Sequence, residues 1–326
     1  MAGDLIFVTG GTGFLGRHLV RTLLGQGHRL RLLVRKTSDI SWLPKQGVEL
    51  VWGDVNSQKS LVEAIQGCRF VVHAAGFFRF WGPFETFDRV NLHGTRLVAE
   101  AALQAKVERL IYVSTLAVVG RPEKNQIIDE EARCRPQDPY QHSKLSAENM
   151  LLEMTASQGL PALILRPGAY YGPGSHYGFN RLFIIEPMHG WRVKVEGGRR
   201  LTFPVYVPDV AQSILQALSL GRVGQVYNIS DQSPSHNQVN QIVSELLGIS
   251  SWRLSVPRIP MLGLAAVQEG LAKLSRREPF YPLNLRHYVF NDWNVSSEKA
   301  AGELGFAPTP LEVGLKSTVQ WLKSGK

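Results

Sequence analysis

A short apolar run, Leu5-Ile6-Phe7-Val8, passes directly into Thr9-Gly10-Gly11-Thr12-Gly13-Phe14-Leu15-Gly16, and from Phe14 to Leu24 the leucines recur at helical spacing. Strand, glycine turn and helix in that order leave few folds open. A continuous apolar run suits a strand buried on both faces, as parallel sheets require. Gly10 allows a tight turn, Gly13 lets a ligand approach the backbone, and Gly16 lets the helix pack closely on the strand. The helix N-terminus then offers N–H groups and partial positive charge to a pyrophosphate, with Thr12, Phe14 and Leu15 around it. The spacing Gly-x-x-Gly-x-x-Gly differs from the Gly-x-Gly-x-x-Gly of ordinary dehydrogenases.

The same texture continues through the first half. Apolar runs at Leu30–Val34, Glu49–Trp52, Phe70–His73, Leu110–Val113 and Ala162–Leu165 alternate with helix-like stretches at Phe14–Leu24, Leu61–Gln66, Phe87–Ala105 and Tyr140–Thr155. Such alternation predicts an α/β fold with a doubly wound parallel sheet covered on both faces. After Arg166 the glycines 168, 172, 174 and 178 break the pattern, and a smaller, mostly C-terminal α+β portion is expected to bind substrate. The predicted division is 1–175 for the nucleotide domain, rejoined by about 201–230, with 176–200 and 231–326 for the substrate portion. Leu201–Val207 and Val226–Ile229 read as strands, and Asp209–Leu218, Gln238–Leu247, Met261–Leu274, Ser297–Leu304 and Leu311–Leu322 as helices.

Other residues extend the nucleotide site. The second strand ends in Leu33-Val34-Arg35-Lys36-Thr37-Ser38, with no carboxylate to accept bonds from ribose hydroxyls. Arg35, helped by Lys36 and Ser38, suits a 2′-phosphate, so NADP is the expected cofactor and NAD the alternative. Asp54, followed by Val55, has two readings: an acceptor for the adenine amino group, or a carboxylate ahead of a helix. Ala74, Ala75 and Gly76 follow the fourth strand and are small enough to admit a cofactor. His73 reads as a packed strand residue.

Asp138-Pro139 can cap and open a helix, which puts Tyr140 and Lys144 one turn apart on the same face. An ammonium beside a phenol favours phenolate, so the lysine is expected to draw the tyrosine down toward proton exchange at neutral pH. The strand Leu110–Val113 ends in Ser114 and Thr115, whose hydroxyls lie at the sheet edge where ligands of open α/β sheets collect.

These residues carry a resemblance. Thr9–Gly16, Gly53-Asp54-Val55, His73-Ala74-Ala75, Asn91–Thr95, Val113–Thr115, Tyr140 through Lys144 and Glu148, Leu165-Arg166-Pro167, Tyr171–Gly174, Val207–Ala211 and Ser297–Pro308 match in order along nearly the whole chain. The chain resembles an extended short-chain dehydrogenase/reductase of the NAD-dependent epimerase/dehydratase type. The resemblance implies Tyr140 as general acid/base, Lys144 as holder of the nicotinamide ribose, Thr115 rather than Ser114 as the hydroxyl that orients substrate, and Pro167 at the cofactor. It also suggests a homodimer through the helices Phe87–Ala105 and Tyr140–Thr155. Asn91 has two readings, support for the catalytic helix or core structure.

Two departures bear on the reaction. Thr115 is followed by Leu116-Ala117, where sugar-nucleotide 4,6-dehydratases of the family carry an Asp-Glu pair, and Ala169 stands where epimerases typically place an asparagine. The loop Phe77-Phe78-Arg79-Phe80-Trp81-Gly82 holds four aromatics that suit either a lipophilic substrate or the protein's own packing, with Arg79 available for an anionic or hydroxyl group. The chain is therefore similar to the branch containing 3β-hydroxysteroid dehydrogenases, dihydroflavonol reductases and hopanoid-associated epimerase-like proteins. The implied reaction interconverts a secondary alcohol and a ketone on a hydrophobic small molecule. The alternatives are sugar or nucleotide-sugar epimerisation, or a nucleotide-binding sensor or RNA-binding relative without catalysis.

The formal charge of +9 is scattered, with groups at Arg29/Arg31/Arg35/Lys36 and Lys273/Arg276/Arg277, and reads as a solvated surface rather than a nucleic-acid face. The two cysteines, Cys68 and Cys134, lack metal-ligand spacing, so no metal is expected. No run reaches the ~18 apolar residues of a membrane span. Ile259–Leu274 is the most lipophilic helix, read as pocket lining or core, with peripheral membrane contact as the alternative. The first residues show no secretory pattern, and a cytoplasmic location is expected.

Overall fold

A computed structural model describes residues 3–275 and 277–325; Arg276 of the basic group lies outside the described residues. In chain order the strands are β1 (Leu5–Thr9), β2 (Arg29–Val34), β3 (Val48–Trp52), β4 (Phe70–His73), β5 (Arg109–Val113), β6 (Ala162–Pro167), β7 (Ala169–Tyr171), β8 (Val193–Val195), β9 (Pro204–Tyr206), β10 (Val226–Ile229) and β11 (Leu254–Val256). Seven of them form one sheet in the order β10-β6-β5-β4-β1-β2-β3, and every pairing is parallel. Each apolar run predicted as a buried strand of the first half lies in this sheet. The two small sheets, β7 with β9 and β8 with β11, stand apart from it.

Burial on both faces follows from the strand sequences. Ile6, Val8, Leu30, Leu32, Val72 and Ile111 face one core, which the helix α1 (Phe14–Gly25) and the helix Val207–Ser219 cover. Phe7, Val71, Leu110, Tyr112 and Ile164 face the other, under α2 (Gln58–Ile65), α4 (Gly94–Gln104) and α5 (Pro139–Gln158). In α5, Asp138 accepts from the Gln141 N–H at 2.9 Å, Pro139 opens the helix, and Gly159 closes it at φ +73°.

Two predicted elements differ. The single helix over Phe87–Ala105 is instead α3 (Phe84–Phe87), a π-helical turn over Asp88–His93, and α4. The wider turn swings Asn91 inward, toward Phe77 and Ser143. The strand over Leu201–Val207 shrinks to β9, because Pro204 and the helix starting at Val207 bound it, and it pairs with β7 outside the main sheet.

Candidate active site

Strand order reverses between β1 and β4, and the glycine turn after one faces the small residues after the other. The turn is built around missing side chains. Gly10 sits at φ +74°, and a Cβ on it would lie 2.6 Å from the Ala74 carbonyl carbon and the Ala75 nitrogen. A Cβ on Gly16 would lie 2.2 Å from the Gly10 oxygen, so Gly16 serves the fit of helix to turn rather than helix to strand. Gly13 donates to Gly10 O at 3.0 Å and leads into α1, whose first turn has neither a side-chain cap nor an acidic residue. The N–H groups of Phe14, Leu15 and Gly16 thus precede the first intrahelical bond, and Thr12 and Gly13 lie at the rim. This cradle fits a dinucleotide pyrophosphate.

A directional chain of hydrogen bonds fixes the crevice. Thr95 Oγ1 donates to Asn91 O at 2.6 Å, so it accepts from His73 Nε2–H at 2.9 Å. His73 Nδ1 is then an acceptor for the Thr9 hydroxyl at 2.6 Å, and Thr9 Oγ1 accepts the Ala75 N–H at 3.1 Å. Every member has one role, and the imidazole is neutral, since burial first and the Lys144 charge second push its pKa down to about 3. Buried polar groups with all partners in place rigidify a site.

The remaining predicted cofactor residues fall around this crevice. Arg35 and Lys36 are exposed at the end of β2; the Arg35 N–H donates to Ser38 Oγ, so the serine serves the turn. Asp54 accepts from Asn56 N and Nδ2 at 3.0 and 2.8 Å through one oxygen and forms a turn ahead of α2. Val55 is buried against Gly94, and Pro167 ends β6. A Cβ on Gly76 would lie 4.0 Å from Lys144 Nζ, which joins the nucleotide crevice to the proton-transfer pair.

At that pair the Thr115 side chain lies beside the Tyr140 phenol and lowers its pKa against the effect of burial. Thr115 Oγ1 accepts the Ala117 N–H at 3.2 Å, which leaves its proton for the phenol or a substrate oxygen, while Ser114 is buried without a side-chain partner. Lys144 is buried and donates to the Val113 carbonyl at 2.7 Å, with Nζ 4.1 Å from the Tyr112 ring centre. Here the structure corrects the sequence reading. Burial raises the Tyr140 phenol above its ordinary value, Thr115 opposes that and the Asp138 charge adds to it. The Lys144 ammonium is held on Val113 O, and burial lowers Lys144 itself from 10.5 to about 7, with Glu148 partly opposing.

Glu148 is committed elsewhere: Arg166 Nε reaches both its oxygens at 3.1 Å and a second guanidinium nitrogen closes the fork at 2.7 Å. This buried pair ties α5 to β6.

The aromatic loop lies over Tyr140. Phe78 packs on the Tyr140 ring at 4.7 Å between centres, and Phe80 packs between Tyr177 and Tyr288 at 5.6 and 5.1 Å. Tyr288 donates to Asp138 Oδ2 at 2.9 Å, so this aromatic cluster is tied to the cap of the α5 helix. Asn91 anchors the loop: its Oδ1 accepts from Phe77 N at 2.7 Å, and its Nδ2 donates to Phe77 O and Ser143 Oγ. Arg79 lies over Tyr177 and 3.7 Å from Glu278, with half of its side chain exposed. Sequence reasoning missed Tyr177, Glu278 and Tyr288, which carry no local motif and arrive from the irregular half of the chain.

Comparisons with known proteins agree with this geometry. The model of the NAD dependent epimerase/dehydratase family matches residues 6–230. The chain is 29% identical to sterol demethylase protein B of Methylococcus capsulatus, over 97% of each protein. It is 32% identical to 3 beta-hydroxysteroid dehydrogenase type 7 of Mus musculus, over 97% of this chain and 95% of that one. The crystal structure of gox2253 superposes with a TM-score of 0.85 at 30% identity, covering 99% of both chains. The UDP-glucose 4-epimerase of Thermotoga maritima shares the fold, with a TM-score of 0.81 at 22% identity over 98% of this chain and 99% of that one. With sequence, sheet order and crevice in agreement, the chain belongs to the NAD-dependent epimerase/dehydratase family and is an NAD(P)-dependent oxidoreductase of the extended short-chain dehydrogenase/reductase type.

Proposed function

We propose that the protein interconverts a secondary alcohol and a ketone on a hydrophobic small molecule with NADP(H), using Tyr140, Lys144 and Thr115. The observation that carries this reading is the placement of Tyr140: its phenol feels the Thr115 side chain, its ring lies under Phe78, and Lys144 one turn on lies by Gly76 in the stretch after β4. Bound nicotinamide supplies the hydride donor or acceptor. Tyr140 gives a proton to the forming alkoxide, or takes it from the alcohol. Thr115 holds the substrate oxygen with the proton that its bond from Ala117 leaves free. Lys144, which lies by Gly76, would hold the nicotinamide ribose, and its ammonium would favour the phenolate of Tyr140.

Phe78, Phe80, Tyr177 and Tyr288 exclude water and favour an apolar ring system over a sugar nucleotide. Arg35, exposed and without an ion pair among the described residues, suits a 2′-phosphate. The names of the relatives, a sterol demethylase protein and a 3 beta-hydroxysteroid dehydrogenase, support the lipophilic class. A nicotinamide-absorbance screen of sterols, flavonoids, quinones and sugar nucleotides with both cofactors tests the reading. Turnover is expected with a lipophilic alcohol or ketone and NADP(H); turnover confined to sugar nucleotides, with no net change in cofactor, would contradict it.

A further inference from the structure

The helix Arg258–Ser275 is inside out. Of its 18 residues only Ala265 and Ala272 are buried, and the uncharged Gln268 and the acid Glu269 on that side bond to the protein. Gln268 Oε1 accepts from the Tyr281 N–H and Glu269 Oε1 from the Leu283 N–H, each at 2.8 Å. On the opposite face Ile259, Leu264, Val267, Leu271 and Leu274 are 83, 48, 63, 62 and 84% exposed. At 100° per residue these five, with Pro260, Gly263 and Gly270 between them, fill one continuous apolar arc. A contiguous apolar face of this kind marks an interaction surface rather than scattered surface leucines.

Charge says what covers it. Around this face the sequence carries Arg258, Lys273, Arg276 and Arg277 against Glu269, whose carboxylate accepts from the Leu283 N–H, and Glu278, which lies by Arg79 and Tyr177, while Arg253 is buried. Trp252, Trp191 and Phe280 are exposed nearby in the chain or the fold, with Trp191 and Phe280 5.9 Å apart between ring centres. An apolar stripe with basic ends and exposed tryptophans suits the boundary between anionic headgroups and acyl chains. No described helix is long and apolar enough to cross a membrane, so the helix would lie in the plane of the surface.

The geometry points to helix Arg258–Ser275 as a docking element that seats the protein on an anionic bilayer. Its inner face contributes Met261 to the cluster of Phe80, Tyr281 and Leu285, which adjoins Phe78 over Tyr140. The element that enters the lipid therefore also packs on the aromatic cluster beside Tyr140. The docking stands on the helix alone; that it delivers substrate from the bilayer rests on the function proposed above.

Flotation of the full chain with vesicles tests it, using phosphatidylcholine alone and phosphatidylcholine mixed with phosphatidylglycerol. Binding is expected to the anionic vesicles, weaker in high salt and on the neutral ones. It should fall by about tenfold or more in Val267→Glu/Leu271→Glu and also in Leu274→Asp, with melting temperature and turnover of a water-soluble secondary alcohol kept. No flotation with either vesicle would overturn the proposal, as would flotation unaltered by the substitutions. A chain that stays off vesicles and forms a dimer that the same substitutions dissociate would assign the face to a second copy and overturn it too. Loss of turnover in the parent would strike the proposed reaction and leave vesicle binding standing.

Discussion

Lys144 should cost the protein stability, and Lys144→Met should therefore raise it. The ammonium is buried under the Tyr112 ring, its one hydrogen bond runs to Val113 O, and the nearest carboxylate, Glu148, is occupied by Arg166. In the unfolded chain the lysine titrates at its ordinary 10.5 and in the folded protein at about 7. Between those values the unfolded chain binds the additional proton, so this group's contribution to stability rises with pH across the window. The penalty is complete at and below about pH 7 and gone above about pH 10.5. A shift of that size corresponds to roughly 4–5 kcal/mol. Methionine fills a similar volume but loses the bond to Val113 O, which returns about 1–3 kcal/mol. The net expectation at pH 7 is a gain of about 1–4 kcal/mol, read as a higher urea midpoint and a melting temperature up by about 2–6 °C. At pH 10 the gain should vanish or reverse. A variant less stable than the parent at pH 7, or a difference that does not change with pH, would refute the reasoning.

Two further outcomes follow from the same interior. Glu148→Ala strands the Arg166 guanidinium in a buried site and should cost about 3–5 kcal/mol in urea unfolding, while Glu148→Leu/Arg166→Met should recover most of it. Titration of both cofactors against Arg35→Ala should show NADPH weakened by about tenfold or more and NADH nearly unaffected, and equal losses would remove the 2′-phosphate contact.

The sheet was legible because its strands are buried on both faces and so appear as unbroken apolar runs; β4 matches its predicted bounds at Phe70 and His73. The glycine turn was legible because its spacing states a backbone need, which Gly10 meets at φ +74°. The electrostatics at Tyr140 were not, since one-turn spacing puts Lys144 on the right face but cannot say that Val113 O takes its ammonium. The π-turn at Asn91 interrupts a pattern that is periodic in sequence. The aromatic cluster was out of reach for another reason: Tyr177 and Tyr288 meet Phe80 only through long-range packing of irregular segments. Helix Arg258–Ser275 showed its lipophilicity in the sequence, and only the fold revealed that its apolar face points outward.

The central claim is that Tyr140 moves the proton during net hydride transfer. It is tested most directly by following reduced nicotinamide during oxidation of a lipophilic secondary alcohol by the parent and by Tyr140→Phe. The account predicts net accumulation of free reduced cofactor with the parent and a rate lower by about 10²–10⁴-fold in the variant, with cofactor affinity kept. Full turnover by Tyr140→Phe, or turnover in the parent with no net reduced cofactor, would contradict it.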